Sequence, residues 1–147
     1  MKAVAFKSAS DARGAPDARI VLAHADRHLR RKVLTVDGED VLVDLPHAHR
    51  FASGDRLVLD DGREIEIEAA VEPLYALRAD GPLAHAELCW HLGNRHVPAQ
   101  VAPYDEGGRV LIARDPVLRP MLKGLGVRVE EVEEPFQPVR GAYHSHD

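Results

Sequence analysis

The chain has 147 residues, enough for one ordinary domain or two small ones. Hydrophobic residues make up 45% and charged residues 29%, a globular mixture that excludes a disordered chain. Net charge is −5 with the nine His counted neutral, which argues against nucleic acid as a partner, because phosphate binding needs clustered positive charge, and suits collecting a cation.

Cys89 is the one cysteine, so no intrachain disulfide can form and a reducing compartment is expected. The opening Met1-Lys2-Ala3-Val4-Ala5-Phe6-Lys7 has too short an apolar run for a signal peptide. No run approaches the ~20 apolar residues of a membrane helix. A soluble, cytoplasmic protein with no membrane partner is the expectation.

Residues up to about Ala70 read as all-β. Residues 19–23 are a short apolar run. Residues 32–36 meet the turn Asp37-Gly38, a strong hairpin signal, and residues 41–45 return and end at Pro46. Residues 56–59 meet Asp60-Asp61-Gly62, and Glu64-Ile65-Glu66-Ile67-Glu68 alternates with period two, so its Ile face should be buried and its Glu face exposed. Short strands separated by turns point to a small sandwich or barrel.

A boundary falls at residues 69–73, where the pattern changes. Residues 74–79 are a strand. Asp80-Gly81-Pro82 starts a helix, with Pro at the first helical position. That helix is expected over 83–92, with Gly93 as its C-terminal cap. Residues 97–104 are extended, with Pro98 and Pro103 marking an edge strand or its ends. Asp105-Glu106-Gly107-Gly108 is a turn before a strand at 109–113. Asp115-Pro116 opens a second helix to about Leu125, with a kink or late start at Pro120. A last strand covers 127–132.

The fold class is therefore α+β: an all-β N-terminal domain over 1–71, able to take a peptide or partner, then a ferredoxin-like βαββαβ domain over 72–134. Residues 135–147 read as a mobile tail. Each domain is near ~70 residues, marginal for a self-sufficient core, so dimerisation would add burial.

The chemistry centres on His91-Leu92-Gly93-Asn94-Arg95-His96-Val97-Pro98. His96 could merely pack beneath a helix end. Its placement between a helix and a strand also suits a metal ligand, since neutral imidazole binds nickel, copper and zinc. One imidazole binds weakly, but a two-fold axis at His96 would supply a second copy. His144 and His146 form a His-x-His that is either a polar tail or a flexible clamp on a metal held elsewhere. His47 and His49 read as incidental loop residues or a weak secondary site. His24 and His28 read as solvated. His85 and Cys89 share a helix face, with Cys89 as buried packing. His91 is expected to bond the last helical carbonyls. No catalytic residues are assigned: there is no nucleophile elbow, Gly-rich phosphate loop or His-Glu-x-x-His helix.

That octapeptide resembles the signature of the urease accessory nickel chaperone family (UreE). The resemblance runs on through Met121-Leu122-Lys123-Gly124-Leu125-Gly126 and Pro135-Phe136 to Gly141-Ala142-Tyr143 and the His tail, and so covers the second half, with a similar layout in the first. It implies an N-terminal domain like the peptide-binding domains of some heat-shock proteins. It implies a C-terminal domain that pairs head to head in a homodimer, with an interfacial nickel ligand at His96 and tail ligands at His144 and His146. Family members deliver nickel to the urease apoprotein with accessory proteins that include a GTPase; zinc or copper could take nickel's place. Two departures stand out. Many members carry a longer His-rich tail than this His-Ser-His-Asp, which favours one ion per dimer over storage, and Pro120 is unusual. The rival readings are a peptide- or protein-binding adaptor with incidental histidines and a small zinc enzyme, for which a third ligand and a base are lacking.

Overall fold

The computed structural model describes residues 1–140. They form two compact units, Met1–Ala70 and a second that begins at Val71. The first contains β1 (Lys2–Lys7), β2 (Ala18–Leu22), β3 (His28–Val36), β4 (Glu39–Arg50), β5 (Arg56–Leu59) and β6 (Glu64–Ala69). They make one sheet in the order β2-β6-β5-β1-β4-β3. Residues from both edge strands, Ile20 and Leu22 of β2 and Leu29 and Leu34 of β3, pack in the same apolar cluster. The sheet must curl around that cluster for its two edges to share it.

The hairpin at Asp37-Gly38 forms as the sequence indicates, with both residues at positive φ, 50° and 80°. Asp tolerates that conformation and Gly prefers it. On β6, Ile65 and Ile67 are buried. Glu64 on the other face accepts from Lys7 Nζ at 2.7 Å and Arg56 Nη1 at 3.1 Å. The Lys7 bond, then the Arg56 bond, holds the Glu64 carboxyl below its usual range.

Two features differ from the sequence expectation. β1 carries few large apolar residues, so its period is faint, yet it sits inside the sheet, parallel to β4 and antiparallel to β5. β4 does not stop at Pro46 but continues to Arg50. The register explains why: Leu29 faces His49 while Arg31 faces Asp44. Residues 45–48 are skipped over, so the N–H that Pro46 lacks is not needed by the ladder.

The second unit contains β7 (Val71–Arg78), α1 (Pro82–Asn94), β8 (Gln100–Val101), β9 (Val110–Ala113), α2 (Arg119–Gly124) and β10 (Arg128–Pro135). Its sheet runs β10-β7-β9-β8 with every neighbouring pair antiparallel. This is the ferredoxin-like βαββαβ arrangement. Tyr75, Leu77, Val110 and Ile112 face one way and pack with Leu88 and Leu92 of α1 and Leu122 of α2. Leu74, Ala76 and Leu111 face the other way.

Pro120 produces a late start. Residues Pro116–Leu118 make a 3₁₀ turn, capped by Asp115 accepting from the Val117 amide at 3.0 Å. α2 then begins at Arg119, which leaves Pro120 in the first turn, where its missing N–H has no partner to lose. The strand expected over 97–104 shrinks to Gln100–Val101, flanked by prolines that cannot donate. Among the described residues no helix is long and apolar enough to cross a membrane.

Candidate metal centre

α1 opens on Gly81 at φ 128° with Pro82 in its first turn. Leu88 and Leu92 lie on the sheet-facing side and are fully buried. Gly93, expected as the cap, lies inside the helix instead. Pro98 accounts for this. Its ring drives Val97 out of the helical region, so the reversal must occur just before Val97. It falls on His96, whose φ is 55°. The His96 amide donates to Gly93 O at 3.0 Å and the Val97 amide to Leu92 O at 3.0 Å. Those two bonds close the helix in the pattern usually built around Gly. Val97 completes it by packing in the same cluster as Leu92.

A left-handed conformation in a side-chain-bearing residue costs on the order of 1 kcal/mol. Asp37 and His96 are the two non-glycine residues with positive φ among those described, and Asp37 is explained by its turn. At His96 the closure fixes the backbone while the side chain remains exposed to solvent. The imidazole is thus presented outward from a rigid helix end.

His91 does not cap the helix carbonyls. Arg95 does so, donating from Nη1 to His91 O at 3.3 Å, with the same nitrogen 3.4 Å from His91 Nδ1. A cation suits that end of the helix dipole. The His91 ring meets Trp90 edge-on at 5.1 Å. Trp90 and Leu83 are 63% and 73% exposed, large apolar side chains left in water on α1.

Beyond β10 the chain does not leave the second unit at once. Phe136 is 3% exposed and packs with Leu74, Ala76 and Leu111 on the face away from the helices. The Gln137 amide donates to Gln100 Oε1 at 2.8 Å. The Val139 amide donates to Ala99 O at 2.8 Å. Residues 135–140 therefore cross from β10, one edge of the sheet, to the chain at β8, the other edge. Ala99, to which Val139 is fastened, lies three residues after His96 in sequence. His144 and His146 lie outside the described residues.

The remaining histidines do not gather into a site. Among the described residues no group of three or more His, Cys, Asp or Glu could hold a metal. His47 and His49 lie on β4, not in a loop. The His49 ring stacks on Phe6 at 4.0 Å, meets Phe51 edge-on at 4.6 Å, and brings Nε2 to 4.0 Å from Asp55 Oδ2; this is packing. His24 lies in the 3₁₀ turn His24–Asp26 and His28 on β3. His85 is buried, 6.0 Å from the Tyr104 ring. Cys89 is half-buried against the helix-side core, and that burial raises its thiol pKa.

Two family models match the chain: UreE urease accessory protein, N-terminal domain, over residues 4–70, and UreE urease accessory protein, C-terminal domain, over residues 72–147. The chain belongs to the UreE urease accessory protein family. Its relatives include the urease accessory protein UreE of Rhizobium meliloti (strain 1021), 56% identical over 90% of this chain and 84% of its own length. The protein of the same name from Mesorhizobium japonicum is 51% identical over 97% of this chain and 71% of its own length. That of Agrobacterium fabrum is 52% identical over 89% and 80%.

Within this UreE frame, the place of His96 just past a helix end is legible in the sequence, but its left-handed backbone is not. The crossing segment was missed altogether. Its signal was a lone Phe136 between Pro135 and Pro138: one large apolar side chain in an otherwise polar stretch needs somewhere to be buried.

Proposed function

We propose that this UreE-family chain is a nickel-binding metallochaperone, not an enzyme, acting in urease maturation. Two copies meet at a two-fold axis near the end of α1, and His96 from each supplies an imidazole to one Ni(II) ion. His144 and His146 complete the coordination from the C-terminal segment. Zinc and copper suit the same donors. The partners are the urease apoprotein and its accessory proteins, including a GTPase, in the cytoplasm.

The observation that carries this reading is the exposed His96 imidazole on a helix end that two backbone bonds hold in an unfavourable conformation. Such strain is commonly kept at functional sites. Two further observations support it. Exposed Trp90 and Leu83 on the same helix would gain burial in a symmetric contact. Val139 is fastened beside Ala99, and His144 lies five residues further on, an extended reach of about 17 Å. Ala99 is itself three residues from His96, at most about 10 Å, so the span closes. Imidazoles must be neutral to ligate, so acid should release the ion, which suits a carrier.

The test is equilibrium dialysis of His96→Ala against nickel, with sedimentation alongside. Affinity should fall by at least tenfold with the dimer retained; unchanged affinity would overturn the assignment.

A further inference from the structure

α1 contains a glycine that its own chain does not call for. Gly93 lies inside the helix, exposed, with no positive φ to favour glycine. A Cβ added to it would meet nothing within 4 Å. In a helix interior Gly is less stable than Ala, because it surrenders more backbone freedom on folding. Neither a turn nor a close neighbour among the described residues offsets that cost. The remaining use of a missing Cβ is to let something outside the chain come close.

Gly93 ends a line of exposed positions. Leu83, Ala86, Trp90 and Gly93 are spaced three, four and three apart, which sets them along one side of the helix. All four are exposed and none is charged. Helical spacing puts this side opposite the buried Leu88 and Leu92, so α1 is apolar on two sides while its core needs only one. Trp90 stands out from the exposed side, and Gly93, one turn on, leaves a gap.

We infer that Gly93 is the point of closest approach between α1 of two copies of this chain, with Trp90 of each copy lying against Gly93 of the other. The inference rests on the reading of a two-fold contact near the end of α1 and names where on the helix that contact falls. A knob and a gap side by side on one surface are what an isologous contact needs, because the axis between them seats each knob in the other copy's gap. The absence of charge gives an unrelated protein nothing to select by electrostatics. The position of the axis follows from helix geometry. For antiparallel helices, an axis midway between Leu83 and Gly93 would set the two Asn94 ends of α1 about 18 Å apart along the helices. An axis between Trp90 and Gly93 reduces this to about 8 Å and so gathers the two ends that carry His96. Gly93 and Trp90 are positioning residues: they touch no metal and fix how near those ends lie.

The experiment is sedimentation equilibrium and thermal unfolding of full-length wild type, Gly93→Ala, Trp90→Glu, and the double variant of Trp90→Glu with Gly93→Ala. In the wild-type background Gly93→Ala should raise the dissociation constant about tenfold or more, since two methyl groups enter a packed contact. In the Trp90→Glu background, where the copies are apart, the same change should raise the unfolding midpoint by about 2–4 °C. A change that merely disturbed the fold would harm both, so the opposite signs separate contact from structure. Trp90→Phe, which shortens the facing side chain, should recover part of the association lost in Gly93→Ala. An unchanged dissociation constant in Gly93→Ala, a lowered midpoint in the separated background, or no recovery with Trp90→Phe would overturn the inference. A wild-type protein that stays a single chain, or a Trp90→Glu variant that associates as strongly as wild type, instead sinks the two-fold reading beneath it.

Discussion

The amide of Val139 donates to the carbonyl of Ala99 across 2.8 Å. These residues stand forty apart in sequence, and their contact brings the last described stretch of the chain beside the helix end that carries His96. Helix termination, edge-strand position and the course of the C-terminal segment all meet at this one place in the second unit.

The conformation of His96 yields a test of whether stability is sacrificed there. Gly accepts φ near 55° without the steric penalty that Ala retains. His96→Gly should therefore be more stable to urea than His96→Ala by about 1 kcal/mol, while both lose nickel to the same degree. Equal stability of the two variants would show that the backbone at this position is not under strain.

Trp90 offers a test of the association surface. Replacing a large interfacial aromatic side chain by a charged one typically costs 2 kcal/mol or more. Trp90→Glu should raise the dissociation constant of the proposed dimer by about 30-fold or more with an unchanged circular dichroism spectrum. Sedimentation equilibrium checks it. A variant that associates as strongly as wild type places the two-fold axis away from this face of α1.

Glu134 and Arg109 form a two-pronged pair at 2.6 and 2.5 Å. The Arg109 guanidinium holds the Glu134 carboxyl below its ordinary value of 4.5. Because the folded value is depressed, the stabilisation is fully present above the ordinary value and is lost as pH falls through the folded one. Both side chains are about a third exposed, so the pair contributes at most about 1 kcal/mol. Glu134→Gln should be less stable than wild type at neutral pH by up to that amount. Urea unfolding should show the gap closing in acid; a gap of constant size would mean that packing, not charge, is responsible.

In the first unit Asp55 is 7% exposed and accepts from the amides of Ala9 at 2.9 Å and Ala52 at 2.8 Å. Asp55→Ala would strand two donors and should cost about 2–4 kcal/mol. Asp55→Asn, which keeps an acceptor, should cost less. Thermal unfolding measures both, and equal losses would contradict a hydrogen-bonding role.

The sequence disclosed what periodicity and turn chemistry encode. The alternation in β6, the Asp37-Gly38 hairpin and the βαββαβ order all stand in the structure, because each depends on neighbours a few residues away. The strand β1 was not legible, since Lys-Ala-Val-Ala-Phe-Lys offers only a weak alternation and owes its place to partners far along the chain. Pro46 looked like a strand end because the register skip that accommodates it depends on β3. Gly93 looked like the helix cap because Gly usually fills that role. Pro98, five residues later, decided otherwise by fixing where the helix could close. Of the candidate ligands, the geometry of His96 lies in a local motif and could be anticipated in outline. The crossing of residues 135–140 depends on a buried seat for Phe136 built by Leu74 and Ala76 of β7, Leu111 of β9 and Val132 of β10.

The central claim, one ion held by paired His96 side chains, is met most directly by the X-ray absorption spectrum at the nickel edge of the loaded protein, recorded for wild type and His96→Ala. The expected wild-type spectrum shows imidazole ligation at one nickel per two chains, with that ligation lost or sharply reduced in the variant. An unchanged spectrum and loading in His96→Ala would contradict it.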